Sequence, residues 1–288
     1  MTKTLKDLIE NIYEEFEYKY NHREESLGYP MGFYDLDIMT DGLKKAELTV
    51  IAGRPASGKT SLALNICSSV AKSNIPICFI TYEITNKALV QRLLYQEAEV
   101  DSQRMRTGNM QAKDWEKLTN AMSLVHDSSI QIEGQCQFDF ENLSESIRHF
   151  VSENSNGVVI IDYFQLIKLP EKEERYVELS SLACSLKRLA MELNIPIILL
   201  SQVSKKCEDG SDKRPELSDI AECDALAWHA DNVYFIYRDE QYYRDDTENR
   251  CKAEIIIAKQ KNGPTGTIDL LFQSNITKFK NITKSSVF

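Results

Sequence analysis

The sequence predicts an α/β fold: a mostly parallel, twisted sheet with helices on both faces and an antiparallel hairpin at its C-terminal end. Three observations predict it. From about residue 47, short β-branched runs alternate with helical stretches. The first of those runs leads through a G-x-x-x-x-G-K-T loop into a helix. The last two runs are joined only by Asn262-Gly263-Pro264-Thr265-Gly266, a turn-rich spacer too short to hold a crossover helix.

Taken in order, residues 3–20 read as a helix. Leu5, Leu8, Ile9, Ile12, Tyr13 and Phe16 recur at helical spacing on one face, and Asp7, Glu10, Glu14, Glu15 and Glu17 fill the other. Two fates for that apolar face stay open, packing on the chain's own domain or docking on a neighbouring subunit. Asn21–Pro30 breaks the pattern, which divides the chain into an arm over residues 1–25 and a main domain over 26–288. The strand candidates are Leu48–Ala52, Ile75–Tyr82, Ile130–Ile132, Val158–Tyr163, Ile195–Leu200, Val233–Tyr237, Ile255–Ala258 and Ile268–Phe272. Helical segments fall between the earlier ones at 59–72, 86–98, 111–125, 140–153 and 176–193.

The bulk composition narrows the class. With 288 residues and 42% hydrophobic content, the chain is long enough for one large α/β domain with a full core, two domains of ordinary size being the other possibility. Its apolar runs are far shorter than a membrane span, and the acidic N-terminus lacks the basic start of a secretion signal. The seven cysteines include no CxxC pair, so reduced thiols in a cytoplasmic protein are expected, without structural zinc or a disulfide framework. The four histidines have no metal-ligand spacing. A net charge of −10 argues against a whole surface built for nucleic acid, though it leaves room for a locally basic channel.

The strongest local signal is Gly53-Arg54-Pro55-Ala56-Ser57-Gly58-Lys59-Thr60. Its glycines let backbone N–H groups face phosphate oxygens, and the following helix N-terminus adds partial positive charge. Lys59 would neutralise the β- and γ-phosphates, while the Thr60 hydroxyl would ligate Mg²⁺. ATP with Mg²⁺ is the expected ligand. A carboxylate must complete the metal shell, and Val158-Val159-Ile160-Ile161-Asp162 ends a buried strand in an acid; the alternative is a helix-capping Asp. In a parallel sheet the C-terminal strand ends face the ligand, so Asp162 should approach Thr60. Glu83 follows another apolar strand and is the candidate base for activating water, against an acid near a helix cap. Gln202 ends a third strand and is either a γ-phosphate contact or a plain turn residue.

Beyond the loop, several motifs appear in a fixed order. They are Tyr29-Pro30-Met31-Gly32-Phe33 with Leu36 and Gly42-Leu43; Arg104-Met105-Arg106-Thr107-Gly108 with Trp115; Ile161-Asp162-Tyr163-Phe164-Gln165-Leu166; and Leu200-Ser201-Gln202. Lys213-Arg214-Pro215 with Ser218-Asp219, Tyr237-Arg238-Asp239-Glu240 and Lys259-Gln260-Lys261-Asn262-Gly263-Pro264 follow. Together they resemble the motor domain of the bacterial replicative hexameric helicases, the DnaB-like family, over residues 1–283. The resemblance implies a RecA-type core working as a homohexameric ring, with ATP between subunits and single-stranded DNA through the centre. It supports Glu83 as catalytic base and Gln202 as phosphate sensor. Arg238 would lie near the nucleotide, and Lys259 and Lys261 would reach into the neighbour's site. It also makes the first helix an arm that docks on the next subunit. In the full system, primase and a loader would be partners.

Three departures from the family pattern stand out. Lys261 occupies a position usually held by Arg, replacing a planar fork with a point charge. The DNA-contacting stretch after Ser218-Asp219 keeps Glu222 but has Ala221 and Asp224 where a basic residue and a glycine are usual. The family's N-terminal helical domain has no counterpart in these residues. The loop Lys205–Arg214 carries Lys205, Lys206, Lys213 and Arg214 among three acids and has no aromatic for base stacking. It reads as a solvated loop unless its position near the ATP site makes it a backbone contact for DNA. Two functions are therefore carried forward. One is an ATP-driven helicase on single-stranded DNA; the other is an ATP-gated oligomeric switch on DNA or protein with little unwinding.

Overall fold

The computed structural model describes residues 4–22, 26–134, 138–243 and 249–282. Its centre is a nine-stranded sheet. In chain order the strands are β1 (Leu48–Gly53), β2 (Ile77–Thr81), β3 (Ile130–Gly134), β4 (Val158–Asp162), β5 (Ile197–Gln202), β6 (Asn232–Tyr237), β7 (Lys252–Gln260), β8 (Gly266–Gln273) and β9 (Lys278–Asn281). In space they run β3-β2-β4-β5-β1-β6-β7-β8-β9. The first six are mutually parallel, and β6 to β9 form antiparallel neighbours. The expected hairpin is thus β7–β8, extended by a ninth strand too short and too polar to stand out in the sequence.

Strands β1, β2, β4 and β6 are buried at every position, as a parallel sheet covered on both faces requires. Alternation sends successive residues to opposite layers. Val50, Ile80, Ile161 and Leu199 face one core, with α7 (Phe140–Glu153), α8 (Arg175–Leu193) and α9 (Asp224–His229) packed over it. Ile51, Phe79, Ile160 and Ile198 face the other, beneath α3 (Lys59–Lys72) and α4 (Asn86–Ala98). Outside these layers, α2 (Tyr34–Thr40) precedes β1, and α5 (Ser102–Thr107) and α6 (Ala112–His126) follow α4. The three short helices α2, α5 and α9 span only six or seven residues each, too few for a helical period to show in sequence.

Helix α1 (Leu5–Asn21) starts with a Thr4–Asp7 capping box. Its apolar face is left uncovered: Leu5, Ile9, Tyr13 and Phe16 are each more than half exposed, and no residue of the helix is buried. Lys19 ties its end to Asp41 at 2.7 Å. Of the two fates open to this face, packing on its own domain does not occur among the described residues. The six cysteines among the described residues are all free, and Cys136 lies outside those residues. No described helix is long and apolar enough to cross a membrane.

Candidate functional site

The fold lines up the chemistry along one rim. Parallel register pairs Thr81 with Asp162 and Gly53 with Gln202, so the C-terminal tips of β2, β4, β5, β1 and β6 lie side by side. Read across that order, the tips carry Glu83, Asp162, Gln202, Gly53 and Arg238. Residues up to 185 apart in sequence meet there only because the strand order reshuffles the chain.

Between β1 and α3 the loop bends as its glycines allow. Gly58 caps α3 with a left-handed φ of 107°, and a side chain there would run into the Phe279 ring. A Cβ on Gly53 would lie 2.5 Å from the Ser57 hydroxyl. That hydroxyl is buried and has no hydrogen-bond partner. Lys59 is buried, and its ammonium lies 3.0 Å from the Gly53 carbonyl and 3.2 Å from that of Arg54. Burial holds its pKa below the usual lysine value, opposed by the charges of Asp162 and Glu83.

Asp162 is fully buried at the tip of β4, and its Oδ2 accepts a 2.7 Å hydrogen bond from the Thr60 hydroxyl. Its other oxygen, Oδ1, is buried without a partner. Burial pushes the carboxyl up to about 6, with Glu83 adding repulsion and Thr60, Lys59 and Arg92 opposing. A buried hydroxyl–carboxylate pair with one oxygen orphaned has the donor set that a small hard cation takes. Glu83 is exposed beyond β2, close enough for its charge to act on both Lys59 and Asp162.

Gln202 is held through its backbone: its N–H donates to Gln165 Oε1 at 3.4 Å, and its carbonyl accepts from Ala221. Gln165 is buried and also donates to the Ser201 hydroxyl and the Ala221 carbonyl. It therefore stitches the segment after Asp162 to the tip of β5 and to residues 221–222. Sequence reasoning gave Gln165 no role of its own, although it lies three residues past the strand-end acid. Nor did it single out Arg92, on α4, whose local pattern gives no hint that its charge reaches Asp162. Arg238 donates to the Ala56 carbonyl at 3.3 Å, pairs with Glu240 and stacks 4.0 Å over the Phe272 ring. It is thus packed under the loop.

The remaining candidates are dispersed. Lys259 and Lys261 close β7 at the opposite rim, since Val233 at the start of β6 pairs with Lys259. The Lys259 ammonium caps α9, donating to the carbonyls of Ala227, Trp228 and Ala230 at 2.7 to 3.1 Å. Lys261 is exposed and lies 3.6 Å from the buried Asp231. In the basic loop, Lys205 and Lys206 are exposed on a short 3-10 turn, Lys205–Glu208. Lys213 instead donates to the carbonyls of Glu208 and Gly210. Arg214 makes a bidentate pair with Glu254 at 2.6 and 2.7 Å and lies over the Tyr237 ring, a pairing that raises its already high pKa. Glu222, with a left-handed φ of 63°, pairs with Arg175 at 2.5 Å.

Comparison with known proteins adds the following. Residues 28–281 match the family model described as the DnaB-like helicase C terminal domain. The replicative DNA helicase DnaB of Geobacillus stearothermophilus is 40% identical over 285 residues, covering 98% of this chain and 63% of that protein. The replicative DNA helicase DnaC of Bacillus subtilis (strain 168) is 39% identical with the same coverage. The chain thus spans under two thirds of the length of either relative. Among solved structures, an isolated ATPase domain superposes with a TM-score of 0.92 at 31% identity, covering 98% of this chain and all of that one. A DnaB-like replicative helicase, solved in work on its interactions with primase, superposes with a TM-score of 0.89 at 31% identity, over 98% of this chain and 68% of that one.

Proposed function

The chain belongs to the DnaB-like helicase C-terminal domain family, and from that premise we propose that it is the ATP-hydrolysing motor of a cytoplasmic replicative helicase that moves on single-stranded DNA. The observation that carries this reading is the rim itself. A glycine-lined loop, a buried lysine and a hydroxyl–carboxylate pair with one unsatisfied oxygen converge on one edge of the sheet.

In that reading residues 53–60 hold the phosphates of ATP through backbone N–H groups, and the Ser57 hydroxyl gains a partner there. Lys59 leaves the loop carbonyls to neutralise the β- and γ-phosphates. Thr60 and Asp162 hold Mg²⁺, which would polarise the γ-phosphoryl group. Glu83, exposed and beyond the metal pair, takes the proton of the attacking water. Gln202 senses the γ-phosphate, and Gln165 hands its movement to residues 221–222. Arg238 supports the loop from beneath.

Lys259 and Lys261, on the far rim, would act on a neighbouring subunit's site, which suits a homohexamer with its nucleotides at interfaces. The uncovered face of α1 would dock on the next subunit. Of the five proposed DNA contacts, Lys205 and Lys206 are best placed for backbone phosphates. Lys213, Arg214 and Glu222 are tied to other groups, so their part would be to shape the loop. Primase and a loader would be partners of the longer protein.

One observation favours the alternative, an ATP-gated switch with little unwinding. Lys259 is engaged by three carbonyls of its own chain, which leaves Lys261, a lysine where Arg is usual, as the exposed cation. The two are separated by ATPase and strand-separation assays with and without single-stranded DNA. A motor gives hydrolysis stimulated severalfold by DNA and unwinding abolished in Lys59→Ala. Nucleotide-dependent DNA binding with neither property would overturn the motor reading.

A further inference from the structure

The side chain of Arg54 does not line the phosphate loop that its backbone belongs to. Its Nε donates to Glu208 at 2.6 Å and its Nη1 to the Val203 carbonyl at 2.9 Å. Beside it, the Val203 N–H donates to the Gly53 carbonyl at 3.3 Å. The first two residues of the loop are therefore held to the segment after β5 by one backbone bond and two side-chain bonds. Glu208 closes the 3-10 turn that exposes Lys205 and Lys206, and Cys207 seats that turn in the core. Nothing longer than one arginine separates the phosphate cradle from the basic turn.

The charges make this a link that nucleotide can alter. Arg54 and Glu208 are both partly buried, so their pairing is less screened than a surface bridge. A triphosphate brings several negative charges to the adjoining backbone and competes with Glu208 for the guanidinium. We propose that Arg54 is a positioning residue: its bond to Glu208 sets the Lys205–Glu208 turn according to whether the phosphate loop is filled. This rests on the nucleotide reading of the loop. A passive staple would have no nucleotide dependence, and that difference is the test.

Hydrogen-exchange mass spectrometry on the whole chain, with and without a non-hydrolysable ATP analogue and Mg²⁺, reads both segments in one experiment. In the parent, protection of residues 53–60 should be accompanied by at least a threefold change in exchange rate over 203–210. In Glu208→Gln, protection at 53–60 should stay within about twofold of the parent while the response at 203–210 falls below a third of it. Glu208→Ala provides a second variant, with exchange in β4 as the check on folding. A parent that responds at 53–60 and not at 203–210 overturns the link and leaves the nucleotide reading standing. So does a Glu208 variant that keeps the parent's full response. No protection at 53–60 at millimolar analogue overturns the nucleotide reading, and the link falls with it.

Discussion

Replacing Asp162 by Asn should stabilise the nucleotide-free protein while disabling its site. The wild-type carboxyl is fully buried, and burial pushes it from 3.8 to about 6. A carboxyl raised on folding stabilises the native state most at low pH, where both states are protonated at this site. That contribution is lost as pH rises from 3.8 through 6, because the native state must then hold a charge it disfavours. The two values differ by roughly two pH units, or about 3 kcal/mol. Asn keeps the shape and can still accept from Thr60, so Asp162→Asn should gain up to that amount at pH 7.5. About half of the gain should remain at pH 5, on the same linkage relation. For a chain of this size the gain corresponds to roughly 5 °C in Tm. Urea unfolding in chelator, at pH 7.5 and at pH 5, measures it. With Mg·ATP at a thousandfold its Kd the ranking should reverse, since that ligand excess stabilises the parent by about 4.1 kcal/mol and the variant lacks the metal carboxylate. An Asn variant no more stable than the parent at pH 7.5, or one whose advantage grows on acidification, would refute the argument that burial dominates at Asp162.

Other outcomes follow from the same geometry. Lys59→Ala should fold normally yet lose the rise in Tm that Mg·ATP gives the parent, which differential scanning fluorimetry reads directly. Glu83→Gln should bind Mg·ATP within about threefold of the parent while its steady-state ATPase falls by about 10²–10⁴. Lys259→Met removes the donor to three carbonyls at the C-terminal end of α9 and should cost about 1–3 kcal/mol in urea unfolding of the isolated chain, besides any effect on a neighbour. Arg214→Ala should cost about 1–3 kcal/mol, because Glu254 is left largely buried and unpaired while solvent screens the arginine side. Its effect on DNA affinity, measured by anisotropy, should be smaller than that of Lys205→Ala with Lys206→Ala.

Much of this molecule can be read along the chain. The alternation of buried runs with helical stretches predicts the strand and helix content because each is a property of near neighbours. Residues 59–72, 86–98 and 140–153 are helical as expected because their apolar spacing is regular and runs long enough to count. The G-x-x-x-x-G-K-T loop is legible for the same reason, since its pattern lies within eight consecutive residues. Asp162 is legible at one remove: a strand ending in an acid, combined with the rule that ligands bind where parallel strands end, puts it near Thr60.

What the sequence by itself determined was therefore the fold class, the loop and the identities of the strand-tip side chains. Only the tertiary structure decided where the long cationic side chains go. Arg54 reaches Glu208, Arg214 reaches Glu254, and Lys259 closes α9. Each partner lies about 30 to 150 residues away and is reached by a flexible side chain with several rotamers open to it. Local pattern has no term for such a choice, because it is settled by which carboxylate or carbonyl the packed sheet brings within reach and by the cost of leaving that group buried without a partner.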